Sequence, residues 1–226
     1  MSLRAIVFDF DGVIANSEPL HFQAYRDVLA EHGVTLTEPD YYARYLGFDD
    51  VGAFEAIGAS CGERWTPAHI RNLVARKAVR LEALERNVSV LFPGAADAIR
   101  RAAAAMPIAI ASGARAEEVR RVLSREDLLA CFTAIVAAED TPVSKPAPEP
   151  YLRALAGLAS TAGPGLHARD CVAIEDSRWG LESARAAGLR TVAVTHTYPA
   201  SELVADLTIP SLDAMDLDLL SQLCFD

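Results

Sequence analysis

The sequence is poor in positive charge. It carries 21 Lys and Arg residues against 31 Asp and Glu residues, which gives a formal net charge of −10 at pH 7. Proteins that bind nucleic acid need clustered basic residues for the phosphate backbone, and this sequence has no such tract. Nucleic acid is therefore excluded as the expected partner.

Cysteine and long apolar runs are also scarce. The four cysteines are far apart, and no pair has the spacing of a metal finger or a redox motif. No apolar stretch approaches the roughly 18 residues that a membrane-spanning helix needs. We therefore expect no membrane partner and a reducing cytoplasmic setting. A monomer or weak dimer is also expected, although neither cysteines nor apolar runs bear on the oligomeric state.

The remaining composition is that of a globular protein. Of the 226 residues, 51% are hydrophobic and 23% are charged. A chain of this size buries roughly 70% of its extended surface, so it forms a full core without disulfides or a structural metal. The length fits one large domain, or a core domain with a small insert.

Short apolar runs alternate with helical patterns over most of the chain. Continuous apolar runs are typical of strands that are buried on both faces of a parallel sheet. The runs are residues 5–8, 108–111, 134–137, 171–174 and 191–194. Helical patterns at 94–105, 116–123, 150–159 and 178–187 separate the later runs. The alternation predicts an α/β fold with a doubly wound, Rossmann-like, mostly parallel sheet.

The segment after the first strand breaks this alternation. From about residue 17 to residue 87, the apolar residues keep a helical period and no strand pattern occurs. We therefore predict a small all-helical domain at residues 16–90. Residues 1–15 and 91–226 then form the α/β core domain.

Polar side chains follow the ends of four predicted strands. Ligands bind beyond the carboxyl ends of the strands in open α/β sheets, so these side chains are expected to meet at one edge. They are Asp9 and Asp11 after the first run, Ser112 after the second, Lys145 after the third, and Glu175 and Asp176 after the fourth.

Several carboxylates at one edge call for a cation. Two like charges about 4 Å apart repel by roughly 4 kcal/mol at an effective dielectric constant of 20. Mg²⁺ prefers oxygen ligands and keeps several waters, so two or three carboxylates and a phosphate oxygen suit it. We therefore predict Mg²⁺ as the cofactor.

The same groups predict phosphoryl transfer. Asp9 and Asp11 are two residues apart and lie on one face of an extended backbone. One carboxylate can attack phosphorus to give an aspartyl-phosphate, while the other moves protons to and from oxygen. Lys145 would neutralise charge on the phosphoryl oxygens, and Ser112 would donate a hydrogen bond to one of them.

The motifs around these residues resemble those of the haloacid dehalogenase superfamily. They are DFDGV at 9–13, IASG at 110–113, SKPAPEPY at 144–151 and IEDSRWG at 174–180. The resemblance covers essentially the whole chain. The helical insert is similar to the cap domain of the β-phosphoglucomutase and phosphoglycolate phosphatase branch, which closes over the substrate.

This resemblance implies specific roles. Asp9 would be the nucleophile and Asp11 the general acid/base. Mg²⁺ would bind Asp9, the main-chain carbonyl of Asp11 and Asp176, with Glu175 joining directly or through water. Candidate substrate-binding residues are Gly113, Arg115, His21 and Lys77, besides the Ser112 and Lys145 that would hold the transferred phosphoryl group.

Two activities of this branch remain as candidates for this sequence, a phosphatase and a phosphomutase. Asp11 argues against dehalogenation and phosphonate cleavage, because the members that carry out those reactions lack the second aspartate. His21 and Lys77 match cap residues of β-phosphoglucomutase, which favours a phosphomutase. Asp49 and Asp50 stand where that enzyme has an arginine, and two acids there would repel a bisphosphate.

We therefore predict a phosphatase for a small phosphorylated metabolite, a sugar phosphate or an organic acid such as phosphoglycolate. Arg115 is left as a possible ligand of a second phosphate. A phosphomutase is the alternative. A non-catalytic binding protein on the same fold is a remote alternative, because such a protein is expected to lack the nucleophile or the metal pair.

Overall fold

The computed structural model describes residues 3–46, 48–86, 88–163 and 165–224. The chain divides into two compact units. One comprises Met1–Asn16 together with Val90–Asp226, and the other is Ser17–Ser89. We call them the α/β unit and the helical unit.

The α/β unit contains one sheet, with six strands in the part of the chain that the structure describes. The strands are β1 (Ala5–Phe8), β2 (Ile108–Ala111), β3 (Ala134–Val136), β4 (Cys171–Glu175), β5 (Arg190–Val194) and β6 (Leu207–Ile209). All neighbours are parallel, in the order β3-β2-β1-β4-β5-β6. The predicted doubly wound parallel sheet is confirmed.

The helical unit contains four helices within its described residues. They are α1 (Glu18–Ala30), α2 (Glu38–Arg44), α3 (Asp50–Ser60) and α4 (Pro67–Glu85). Thr66 accepts a hydrogen bond from the main chain of His69 and caps α4, as the Thr-Pro pair indicates. The helices bury an aromatic cluster that includes Tyr25, Tyr41 and Phe54. The function of this unit as a cap domain stays a prediction.

The α/β unit also has five α-helices within its described residues. They are α5 (Ala95–Ala105), α6 (Ala116–Arg125), α7 (Glu149–Ala162), α8 (Arg178–Ala186) and α9 (Leu217–Gln222). Gly188, with φ of +87°, follows the end of α8, as expected for a C-terminal glycine. Across all the described residues, we find no helix that is both long and apolar enough to cross a bilayer.

The central strands fix the position of the polar groups. Every residue of β1, β2 and β4 is buried, which explains why their sequences are continuously apolar rather than alternating. Phe8 of β1 pairs with Ile110 of β2 and with Ile174 of β4. The residues that follow these strands therefore leave the sheet at a common edge.

Candidate active site

An ammonium group and two carboxylates form the centre of the site. Lys145 Nζ donates to Asp9 Oδ1 at 2.7 Å and to Glu175 Oε1 at 2.5 Å. Asp9 directly follows β1 and Glu175 is the last residue of β4, so the parallel pairing of these strands places both acids beside the lysine. The structure thus brings together side chains that are 136 and 30 residues apart in sequence.

Three carboxylates of this site lie close enough to share a cation. Asp9, Glu175 and Asp176 are all buried, and each offers an oxygen within 4.8 Å of the others. Oxygen donors at this density suit a hard divalent ion. The cluster could therefore hold a metal.

The electrostatics of the cluster also favour an added positive charge. Burial, and then repulsion from Glu175, raise the pKa of Asp9 well above its usual value. The same two causes raise the pKa of Asp176 to about 7. Burial alone would lower the pKa of Lys145, but Asp9 and Glu175 outweigh it and raise that pKa. Lys145 is therefore charged. Its single positive charge is too little to neutralise three ionised carboxylates.

Glu175 is fully buried and is held by donors on several sides. The hydroxyl of Tyr151, on α7, donates to Oε1 at 2.9 Å. The main-chain nitrogen and hydroxyl of Ser177 donate to Oε2 at 3.3 and 3.1 Å. A Cβ at Gly180 would lie 1.9 Å from this carboxylate, so glycine is needed there for the carboxylate to fit against α8. Ser177 also caps α8 by accepting from the main chain of Gly180.

Asp11 lies on the turn that carries the chain out of β1. Its main chain forms a bridge with Ala15, and its charge contributes to the raised pKa of Asp176 after the larger effects of burial and Glu175. Gly12 has φ of +80°, and the main-chain nitrogen of Gly12 donates to the carbonyl of Ala15 at 2.9 Å. Asp11 is therefore close enough to the acidic cluster to act on its electrostatics.

The segment after β2 forms a tight turn into α6. Ser112 is buried, and its hydroxyl accepts from the main-chain nitrogen of Ala114 at 2.9 Å. Gly113 is exposed. Arg115 is also exposed, with Nε 3.9 Å from the carboxylate of Glu139, which in turn accepts from the start of α6. Ser112 therefore lies at the carboxyl end of β2, next to the end of β1 that Asp9 follows. Arg115, in contrast, is a surface group.

His21 and Lys77 lie in the helical unit and contact each other. Lys77 is only 2% exposed; its Nζ is 2.9 Å from His21 Nδ1 and 2.7 Å from Asp50 Oδ1. Tyr25 donates to the same oxygen of Asp50 at 2.6 Å. Since an ammonium group only donates, His21 Nδ1 is the acceptor.

The two acids expected to repel a second phosphate are already engaged within the helical unit. Asp50 forms an ion pair with Lys77, and Asp49 caps α3 by accepting from the main chain of Gly52 at 2.7 Å. Because Asp50 is paired with a cation and Asp49 with a helix N-terminus, their net repulsion is smaller than their sequence indicates. The charge argument against a phosphomutase is weakened accordingly.

The sequence prediction assigned no role to three residues of the site. Tyr151 belongs to one of the family motifs and contacts Glu175. His196 and Thr197 lie on the turn after β5, where His196 contacts the Gly12 carbonyl and Thr197 donates to Asp176. The available signal was the polar segment 195–197, which directly follows the fifth apolar run, because that strand ends at the same edge of the sheet.

Comparisons with known proteins agree with this geometry. Residues 6–194 match the family described as haloacid dehalogenase-like hydrolase. Protein CbbY of Rhodobacter capsulatus is 34% identical over 223 residues, which cover 95% of this chain and 96% of the relative. Hexitol phosphatase B of Escherichia coli strain K12 is 30% identical over 214 residues, or 93% of each chain.

A solved structure is similar over nearly the whole chain. It is a CbbY mutant from Rhodobacter sphaeroides in complex with xylulose-(1,5)bisphosphate, with a TM-score of 0.78 and 27% identity, and the match covers 95% of this chain and 96% of that one. The predicted enzyme class, a phosphoric monoester hydrolase, agrees with these relatives. The chain belongs to the haloacid dehalogenase-like hydrolase family.

Proposed function

We propose that the protein is a magnesium-dependent phosphatase that hydrolyses a small phosphorylated sugar through an aspartyl-phosphate on Asp9. The observation that carries this proposal is the contact of Lys145 with both Asp9 and Glu175, next to Asp176. Phosphoryl transfer through an aspartyl-phosphate needs a carboxylate nucleophile, a positive charge and a cluster of carboxylates. The site places these groups together at the carboxyl ends of the parallel strands.

The residues present fit a magnesium ion. Asp9, Glu175 and Asp176 supply three buried carboxylates. Burial, and then repulsion from Glu175, raise the pKa values of Asp9 and Asp176, and a bound cation would offset that repulsion. Asp9, Asp176 and the main-chain carbonyl of Asp11 would hold the ion, with Glu175 joining directly or through water. Bound there, Mg²⁺ would offset negative charge on the phosphoryl oxygens.

Asp9 would act as the nucleophile. One oxygen of its carboxylate attacks phosphorus, and the bond from phosphorus to the sugar oxygen breaks. Lys145 lies 2.7 Å from Asp9 Oδ1, so its charge stabilises the carboxylate before attack and the phosphoryl oxygens during transfer. The hydroxyl of Ser112 would donate to one of those oxygens.

Asp11 would move the protons of both steps. It gives a proton to the departing sugar oxygen, and then takes one from the water that attacks the aspartyl-phosphate. Its position two residues after Asp9, on the turn fixed by Gly12, keeps the two carboxyl groups on one segment of chain. Hydrolysis then restores Asp9 and releases inorganic phosphate.

The proposed substrate class is supported by the relatives. A CbbY structure holds a sugar bisphosphate, and another relative is named as a hexitol phosphatase. These names support a phosphorylated sugar or sugar alcohol over a phosphoglycolate-like acid. His21, Lys77, Gly113 and Arg115 stay candidate substrate-binding residues.

A phosphomutase of the β-phosphoglucomutase type is the second candidate. Its specific support is the pairing of His21 with Lys77, because both match cap residues of that enzyme and the fold of the helical unit brings them within 2.9 Å. A mutase would return the phosphoryl group to the sugar instead of releasing it to water.

One assay separates these functions. The purified protein is incubated with Mg²⁺ and a panel of phosphorylated sugars, sugar alcohols and phosphoglycolate, and free phosphate is measured. β-Glucose 1-phosphate with a bisphosphate primer is included, and glucose 6-phosphate is measured there. Phosphate release from a narrow set of substrates, abolished by EDTA and by Asp9→Asn, is the expected result.

A matched control is Asp218→Asn, which makes the same change on the exposed surface of α9. Glucose 6-phosphate without net phosphate release would replace the phosphatase with the mutase. Turnover of neither kind across the panel would count against an enzyme and favour a binding role.

A further inference from the structure

The turn after β5 contacts the acidic site in two places. The carbonyl oxygen of Gly12 is 2.9 Å from Nδ1 of His196 and accepts a hydrogen bond from it. Thr197 donates its hydroxyl hydrogen to Oδ2 of Asp176. The two contacts connect this turn both to the segment that follows Asp9 and to the segment that follows Glu175.

His196 fixes where this turn lies. Its ring stacks on Phe92 with ring centres 3.8 Å apart and planes 18° from parallel. The main-chain nitrogen of Phe92 donates to the carbonyl of Ile14 at 3.0 Å. Because the ring is held on one side by Phe92 and at its edge by Gly12, the next residue, Thr197, has a defined position.

The space around Thr197 is also closely filled. A Cβ on Gly12 would lie 1.9 Å from Asp176 Oδ2 and 2.9 Å from Thr197 Oγ1. Gly12, Asp176 and Thr197 are therefore in direct contact. The absence of a side chain at Gly12 leaves room for the Asp176 carboxylate beside the threonine hydroxyl.

We propose that Thr197 is a positioning residue for the metal site. By donating to Oδ2 of Asp176, it prevents the carboxylate from rotating and leaves Oδ1 to face the cation. Carboxylates that bind metals are commonly held by such outer hydrogen bonds, and their loss typically weakens metal binding by about 10- to 100-fold. This inference rests on the proposed function, since it assumes that the acidic cluster holds Mg²⁺.

The test measures Mg²⁺ binding without substrate. Isothermal titration calorimetry is run on the wild type, Thr197→Val and Thr197→Ser. Valine has the shape of threonine without the hydroxyl, and serine keeps the hydroxyl. Thr208→Val is the matched control, because Thr208 is an exposed residue of β6. Thermal unfolding of each variant in EDTA reports whether the metal-free fold is intact.

We expect Thr197→Val to bind Mg²⁺ about 10- to 100-fold more weakly than the wild type. In EDTA it should still unfold in one cooperative transition, with a Tm lowered by no more than the loss of one hydrogen bond explains. Thr197→Ser and Thr208→Val should bind it nearly as tightly as the wild type. Equal affinity of Thr197→Val and the wild type would overturn the role of Thr197 and leave the proposed function standing. A wild type that binds no Mg²⁺ would overturn both.

Discussion

Lys145 Nζ lies 2.7 Å from Asp9 Oδ1, and the same nitrogen is 2.5 Å from Glu175 Oε1. The lysine side chain is 14% exposed, the Asp9 side chain 11%, and the Glu175 side chain is fully buried. Charges this deep are costly unless they are paired. Lys145 thus stabilises the fold at the same atoms where we propose that it assists the reaction.

Replacing Lys145 should therefore destabilise the protein. Lys145→Met leaves Asp9 and Glu175 without their cation, and loss of one partner of a buried pair typically costs about 3–5 kcal/mol. The free energy of unfolding, measured with urea in EDTA, is expected to fall by that amount. Adding Asp9→Asn removes one of the unpaired charges, so the double variant should recover part of the loss. Simple additivity of the two changes would contradict this pairing.

The acidic cluster should make stability depend on pH and on metal. Burial and Glu175 raise the pKa of Asp176 from 3.8 to about 7 in the metal-free fold. Between these values the folded state keeps a proton that the unfolded state has lost, so stability falls as the pH rises through this window. Without metal, the Tm is expected to be higher near pH 5 than near pH 8.

Mg²⁺ should reverse that trend, because it binds the ionised carboxylates. At about 100 times its Kd, a ligand adds roughly 2.7 kcal/mol, which corresponds to a rise in Tm of about 5–10 °C for a chain of this length. The rise should be larger near pH 8 than near pH 5. Asp176→Asn serves as the control and should reduce both effects. An equal response to Mg²⁺ at both pH values would contradict the assignment.

The importance of the close packing between Gly12 and Asp176 can be tested by comparison with Gly62, a glycine that has the same backbone conformation. Gly12 has φ of +80° and Gly62 has φ of +79°. Alanine at either position should cost about 1 kcal/mol from the backbone alone. A Cβ at Gly12 would also lie 1.9 Å from Asp176, whereas nothing lies within 4 Å of a Cβ at Gly62.

We therefore expect Gly12→Ala to lose Mg²⁺ binding and turnover, while Gly62→Ala retains both. Calorimetric titration with Mg²⁺ and the phosphate-release assay measure the difference. If the two variants bind Mg²⁺ equally well, then close packing at Gly12 is not needed for the site.

Tyr151 should stabilise the protein through its hydroxyl. The residue is fully buried and donates to Glu175 Oε1 at 2.9 Å. Hydrogen bonds to charged groups contribute about 1.5–3 kcal/mol, against about 0.5–1.5 kcal/mol for neutral partners. Tyr151→Phe should thus cost more than Tyr45→Phe, which removes a 3.0 Å bond to the hydroxyl of Ser60. Urea unfolding of both variants measures the two costs, and equal costs would contradict the larger contribution expected from the bond to the Glu175 carboxylate.

The sheet and the main acidic residues are predictable because they depend on local pattern and parallel topology. Continuous apolar runs identify the buried strands, and parallel strands carry the residues after them to one edge. That reasoning alone is enough to place Asp9, Glu175 and Asp176 together. It also identifies Lys145, although the loop between β3 and α7 separates that residue from its strand.

The contacts made by loops and side-chain tips are not predictable in this way. Thr197 meets Asp176 only because the turn after β5 folds back over Gly12, and no periodic pattern encodes that path. The pairing of Asp50 with Lys77 joins α3 to α4, and sequence shows the two charges but not their contact. Helix α2 has seven residues, too few for a helical period to be recognised.

The most direct measurement of the proposed chemistry is capture of the phosphoryl group on the enzyme. The wild type, Asp9→Asn and Asp11→Asn are mixed with Mg²⁺ and the sugar phosphate that the panel identifies, quenched in acid during turnover, and digested for mass spectrometry. We expect a phosphoryl adduct on Asp9 in the wild type and none in Asp9→Asn. Asp11→Asn should turn over much more slowly, because it lacks the group that moves the proton in both steps, and any adduct that it forms should also lie on Asp9. An adduct on another residue, or undiminished phosphate release by Asp9→Asn, would contradict the assignment of Asp9 as the nucleophile.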